Sequence, residues 1–168
     1  MKVIFSGAQL AHAPSSFLRM GRLVPYPDSP DRARALLDGA RQSGGQIHAA
    51  RGYDPKTFNI IHAATYLKFL RTGFEAWAKI EGAGPEMLPS IRPMHKPYAR
   101  GTHILATAGV FQMDNSCPIT EGTWKAAMAS ANTALTAADC LLGGDRAVSA
   151  LSRPPGPHPC SNRARGFA

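Results

Sequence analysis

The sequence predicts an α/β domain built on a parallel sheet. Three short apolar runs have strand length: Val3-Ile4-Phe5, residues 46–50 and residues 147–151. Stretches with helical spacing separate them, at 31–42, 65–80 and 122–142. Strands that alternate with helices favour a parallel sheet with helices on its faces. The punctuation agrees, because Gly44-Gly45 and Gly143-Gly144 each close a helix shortly before a strand begins.

Taken in order, Val3-Ile4-Phe5 reads as a buried first strand, and the apolar start is too short for a signal peptide. Residues 6–30 carry Pro14, Gly21, Pro25, Pro27 and Pro30 and are expected to form one long loop; a loop of that length is more often functional than filler. Ser29 is placed to cap a helix over 31–42, with Pro30 in its first turn and Asp31 near the positive end of its dipole. Ala35, Leu36, Leu37 and Ala40 supply its apolar positions. Residues 46–50 form a second short strand. Asp54-Pro55 opens another helix with Ile60, Ile61 and Ala64 apolar, continuing over 65–80, where Leu67, Phe69, Leu70, Phe74 and Trp77 recur at helical spacing. Residues 82–100 form a proline-rich loop, and 104–111 are apolar but read equally as strand or buried loop. An alanine-rich helix over 122–142, anchored by Trp124, precedes the last strand at 147–151. A loop that leaves the carboxyl end of a parallel strand is where such sheets hold ligands, which draws attention to residues 153–158.

A chain of 168 residues fits one domain and can bury a core. Its apolar content is ordinary at 44%. No run approaches the ~18 apolar residues of a membrane-spanning helix. Cys117, Cys140 and Cys160 show no paired spacing, so free thiols in a reducing cytoplasm are expected. The net charge of +8 is spread along the chain rather than gathered, and no aromatic–basic interleaving accompanies it. That pattern favours a basic solvated surface over anion or nucleic-acid binding. His12, His48, His95 and His103 have no partner spacing and read as loop or surface residues; His62 reads as a structural residue on a helix face. His158 with Cys160, joined by Cys140 or Cys117, is a weak metal pattern without a second close pair.

The hexapeptide Arg153-Pro154-Pro155-Gly156-Pro157-His158 resembles the Arg-Pro-Pro-Gly-His-His element of zinc-dependent deacetylases of the histone-deacetylase and acetylpolyamine-amidohydrolase superfamily. Further stretches match that family in the right order. The acidic-x-Pro-x-Arg element corresponds to Asp28-Ser29-Pro30-Asp31-Arg32. The His-x-x-x-Tyr-Leu-x-Phe-Leu helix corresponds to the stretch from His62 to Leu70. The opening of the long central helix corresponds to residues 118–124, and the Gly-Phe pair of the substrate tunnel to Gly166-Phe167. The resemblance implies an arginase/deacetylase-like parallel sheet with flanking helices. It implies zinc at the end of a narrow tunnel and hydrolysis of N-acetyl-lysine or acetylated polyamines. His158 then matches the second histidine, the usual general base, with Gly166 and Phe167 as tunnel wall. The 82–100 loop would lie at a subunit contact of a homo-oligomer.

The chain also departs from that pattern. Pro157 stands where the first histidine belongs; it has no side-chain donor or acceptor and no backbone N–H. Loss of such a partner at a transition state costs ~10²-fold or more. Ala63 and Ala64 offer no acid after His62, and no acid for a polyamine cation stands out around 104–111. By the resemblance, the zinc ligands, an Asp-x-His element and a later Asp, would follow Ala168. The chain is therefore expected to hold the N-terminal portion of one deacetylase-like domain, truncated after the early strands. It would be inactive alone, with no metal site and with an open sheet edge suited to association with another subunit.

Overall fold

The computed structural model describes residues 1–92, 101–155 and 160–165. In chain order its elements are β1 (Lys2–Phe5), β2 (Ser16–Arg19), β3 (Arg22–Pro25), α1 (Pro30–Gln42), β4 (Gln46–Ala49), α2 (Ala64–Trp77), α3 (Ile104–Phe111), α4 (Thr123–Leu142) and β5 (Val148–Ala150). Two 3-10 turns join them, at Gly7–Ala11 and Pro55–Ile60. The chain divides into two compact units: Met1–Ala13 with Asp28–Pro55 and Gly122–Pro155, and Pro14–Pro27 with Lys56–Glu121 and Gly156–Ala168.

The first unit carries the predicted parallel sheet, in the order β4-β1-β5. Val3 stands opposite Ile47 on one side and Ser149 on the other. The central strand is the most apolar and the most buried, with Val3 and Ile4 each 1% exposed. From β1 the chain passes through α1 to β4, and later through α4 to β5 on the other side. Right-handed crossovers in opposite directions put the two helices on opposite faces. In α1 the burial differs from the sequence reading: Ala33 and Leu37 are buried, while Leu36 is 51% exposed. Ser29 occupies the N-cap position, but its side chain makes no capping bond there. Gly44 ends the helix at φ +72°, where a side chain would be strained. At Gly45 a Cβ would stand 2.7 Å from the Ala40 carbonyl oxygen, so the turn into β4 passes too close for any larger residue.

The second unit holds an apolar core cluster. Tyr66 and Phe69 of α2 pack with Met87, Ile104, Ala108 and Ile119. Phe69 stacks on Phe111 with ring centroids 4.8 Å apart. Phe74 and Trp77 border this cluster, as their spacing predicts. Trp124, expected in the core, is instead only half-buried at the start of α4 in the first unit.

Three expectations from the sequence fail. The stretch 6–30 is not one structureless loop: β2 and β3 pair antiparallel around Met20 (φ 48°) and Gly21 (φ 77°). Two central residues at positive φ make the tight turn whose twist suits a hairpin. The apolar segment 104–111 is neither strand nor loop but α3, capped where the His103 ring accepts the Leu105 N–H at 3.3 Å. Its alanine, glycine and threonine content permits close helix packing; a Cβ on Gly109 would fall 1.8 Å from the Ile91 carbonyl oxygen. The helix expected to open at Asp54-Pro55 is a 3-10 turn that stops at Ile60, and α2 starts afresh at Ala64. Ile60 and Ile61 are 85% and 69% exposed, so they are not core.

Candidate functional site

The candidate site is built where the chain leaves the carboxyl ends of β1, β4 and β5, and α4 holds all three exits. Groups along α4 at 123, 130, 133, 136 and 139 hold these loops. Thr123 meets the ring of His12 at 2.9 Å. The Ser130 backbone carbonyl accepts the Ser152 hydroxyl at 3.2 Å. Thr133 accepts the Gln9 side-chain amide at 3.1 Å, and Thr136 accepts the Arg51 backbone N–H at 2.9 Å. Asp139 accepts the Tyr53 hydroxyl, and this bond is the first cause of the raised Tyr53 pKa. Buried alanines at 126, 129 and 137 let the helix lie close to these loops. The approach is tightest at Gly122, where a Cβ would stand 1.9 Å from the Ala11 carbonyl oxygen.

Arg153 is the node of the site. It follows β5 directly and is 3% exposed. Its guanidinium donates to the carbonyl oxygens of Gln9 at 3.1 Å, His12 at 2.6 Å and Asp28. Nε lies 3.1 Å from the Asp28 carboxylate, which also receives Arg32 at 3.2 Å. The Arg153 backbone N–H donates to the Gln9 side-chain oxygen. A buried cation is tolerable only when paired and well bonded, and this network supplies both conditions. Beside it, burial and then the Arg153 charge lower the His12 pKa to about 4. His12 is therefore neutral at pH 7, and it is a buried loop residue rather than a surface one. The other histidines divide: His48 is exposed on β4, His103 caps α3, and His95 lies outside the described residues.

In the second unit His62 precedes α2 rather than sitting on it, and its ring lies 5.8 Å from that of Tyr66. Burial pushes the Tyr66 hydroxyl up to about 12, with Cys117 and Cys160 adding to it. Burial likewise raises the Cys117 thiol to about 12. All three cysteines are free, as their spacing predicts. Cys160 contacts Met113 sulfur to sulfur at 3.9 Å. Among the described residues no three His, Cys, Asp or Glu side chains converge in a way that could hold a metal ion.

Arg153 joins two of the quoted motifs. The first residue of the hexapeptide grips the acidic residue of the Asp28-to-Arg32 element, 125 positions earlier in the chain. The family described as the histone deacetylase domain matches residues 26–168. The chain belongs to that family. It is 34% identical to the acetylpolyamine amidohydrolase of Burkholderia pseudomallei, over 99% of this chain and 49% of that protein. It is 30% identical to acetylpolyamine amidohydrolase 2 of Pseudomonas aeruginosa, over 99% of this chain and 49% of that protein. A crystal structure of acetylpolyamine aminohydrolase from Burkholderia pseudomallei aligns with a TM-score of 0.92 at 34% identity, covering all of this chain and 49% of that one. The chain thus spans about half the length of the curated relatives it matches, and its parallel sheet with flanking helices is the fold of that deacetylase-like structure.

Within this histone deacetylase domain, the residues singled out for chemistry fall outside the described part. Gly156, Pro157 and His158 of the hexapeptide, and the tunnel pair Gly166 and Phe167, lie outside the described residues; Arg153, Pro154 and Pro155 lie within them. Sequence reasoning missed Gln9, His12 and Thr133. The signal for them was faint: threonines at 123, 133 and 136 fall on the alanine-lined face of one helix, where a purely apolar stripe would be usual.

Proposed function

We propose that this chain forms the N-terminal portion of a single zinc-dependent amidohydrolase domain that acts on N-acetyl-lysine or acetylated polyamines, and that the 168 residues alone do not turn substrate over. The observation that carries the reading is the Asp28–Arg153 pair at the carboxyl ends of the strands. It ties the first residue of the hexapeptide to the start of α1, in a chain that aligns along 99% of its length with an acetylpolyamine amidohydrolase. In this reading His158 is the residual general base and Gly166 with Phe167 line the substrate tunnel. Zinc would supply the polarised carbonyl and the acidified water in the whole domain. The described residues do not fit that ion, because they bring no ligand set together. Free thiols at 117, 140 and 160 accord with a reducing, cytoplasmic setting. No described helix is long and apolar enough to cross a membrane.

The test is hydrolysis of an acetyl-lysine peptide and of an acetylated polyamine by the 168-residue chain with zinc supplied. No turnover is expected. Turnover that disappears in His158→Ala overturns the claim of inactivity.

A second reading is favoured by one observation. Among the described residues β5 is an edge strand of a three-stranded parallel sheet. In this reading the chain works by association with another subunit, and its own residues supply scaffold rather than chemistry. A homo-oligomer through the 82–100 loop is the other form such association could take, although 93–100 lie outside the described residues.

A further inference from the structure

Three stretches of the second unit meet at the segment 160–165. Beside the end of α3 the Met113 N–H donates to the Ala164 carbonyl at 2.9 Å, and the Ala164 N–H donates to the Phe111 carbonyl at 2.7 Å. At the start of α2 the Ala63 N–H donates to the Ser161 carbonyl at 2.7 Å. The Cys160 N–H closes a turn on the Arg163 carbonyl at 3.3 Å. Main-chain bonds therefore fix the backbones of Met113, of Cys160 and of Ala63, the neighbour of His62, relative to one another.

Soft donor atoms gather on this frame. The Cys160 and Met113 sulfurs lie 3.9 Å apart. A metal ion ~2.3 Å from each would subtend roughly 115°, between the tetrahedral and the trigonal angle. Among the described residues the Nδ1 of His62 is buried and has no hydrogen-bond partner, a costly state for an imidazole nitrogen unless another group meets it. The His62 ring lies 5.8 Å from that of Tyr66, and Tyr66 in turn feels Cys160, so Tyr66 neighbours both donors. Cys117 differs from Cys160. Its thiol is turned to the Asp114 carbonyl at 3.5 Å, and burial holds its proton on up to about pH 12, so it is a poor source of thiolate. Cys140 belongs to the first unit.

We infer that Cys160, Met113 and His62 form a binding site for a soft monovalent metal ion of the copper(I) or silver(I) type. Thiolate and thioether sulfur select such ions, and imidazole suits copper as well. Zinc is not the ion, because its protein ligands are thiolate, imidazole and carboxylate, and a thioether is not among them. The sequence reading weighed Cys160 only with His158 and the other cysteines, and nothing in the spacing of Met113 draws attention to it. On binding, the Cys160 thiol releases its proton to solvent as the metal–sulfur bond forms, and no electron is transferred. The bound ion ties the segment 160–165 to the end of α3 and to the start of α2. The site stands apart from the amidohydrolase reading and uses none of the residues to which that reading gives a role.

The experiment titrates the reduced 168-residue chain, without oxygen, with copper(I) held by bicinchoninate, and reads the ion lost from the coloured probe complex. Uptake of one copper(I) per chain is expected. Cys160→Ser, Met113→Leu and His62→Phe are each expected to weaken binding at least ~10-fold. Cys117→Ser and Cys140→Ser are expected to leave it unchanged. Cys160 is exposed and Met113 is 38% exposed, so their replacements leave the core intact. The ion should also raise the Tm of the natural chain and not that of Met113→Leu. Unaltered affinity in Met113→Leu, or an equal rise in Tm, overturns the inference, because a thiol alone then holds the ion. No uptake overturns it too, as does uptake that Cys140→Ser abolishes. Unaltered affinity in His62→Phe overturns the assignment of the third donor.

Discussion

Arg153 and His12 show how one buried charge organises its surroundings. Arg153 donates to three backbone carbonyl oxygens and pairs with one carboxylate, and its charge then helps keep the neighbouring His12 neutral. The consequence is a pH dependence of stability. The folded pKa of His12, about 4, lies below its ordinary 6.5, so the unfolded chain takes up the proton first as pH falls. Stability from this group is fully present above the ordinary value and is lost between pH 6.5 and about 4. A tenfold change in proton affinity is worth ~1.4 kcal/mol, so the loss across this window is on the order of 3 kcal/mol. Denaturant midpoints measured from pH 7 down to pH 4 should fall steeply for the natural chain, and His12→Gln should flatten that fall over the same window. An unchanged slope would mean that His12 is protonated in place.

At the scale of elements, α4 matters more than its composition advertises. Its alanines permit contact and its threonines and Asp139 convert contact into fixed loop positions. Helix interiors accept threonine reluctantly, because its hydroxyl competes with the backbone. Here Thr133 and Thr136 bond back to Ala129 and Asn132 and still receive Gln9 and Arg51. The start of the helix is set by Gly122 against the Ala11 carbonyl. Gly122→Ala should therefore force α4 off the 3-10 turn, at a cost of about 1–3 kcal/mol or more by the usual penalty for overpacking. Chemical denaturation measures it. Gly7→Ala in the adjoining turn, where nothing lies within 4 Å of the new methyl, serves as the control and should change little.

For the molecule as a whole, two features point the same way. The described residues bring no set of zinc-ligating side chains together, and the chain spans 49% of the length of each of two relatives named as acetylpolyamine amidohydrolases. Elemental analysis of the purified chain after dialysis against trace zinc should give well below one zinc per chain. Near one would reveal a site outside the described residues or shared between subunits, and the expectation of no metal site would then fail.

Much of this protein was legible in order along the chain. The strands at Val3-Ile4-Phe5, 46–49 and 148–150, the helices closed by Gly44 and Gly144, and the motifs that mark the histone deacetylase domain are local patterns, and local patterns survive in a string of letters. What failed did so for want of partners. Residues 104–111 are apolar on every side, so no period separates helix from strand; packing against Tyr66 and Phe69 decides it. The hairpin at 16–25 rests on two positive-φ residues, of which only Gly21 announces itself. The site shows the same division. The hexapeptide could be read from sequence, but its anchor could not, because Gln9, His12, Asp28 and Thr133 carry no shared spacing. Gln9, His12 and Asp28 meet Arg153, and Thr133 fixes Gln9, only when β1 and β5 lie side by side beneath α4; the burial created there is what makes a charged arginine require the oxygens of Gln9, His12 and Asp28.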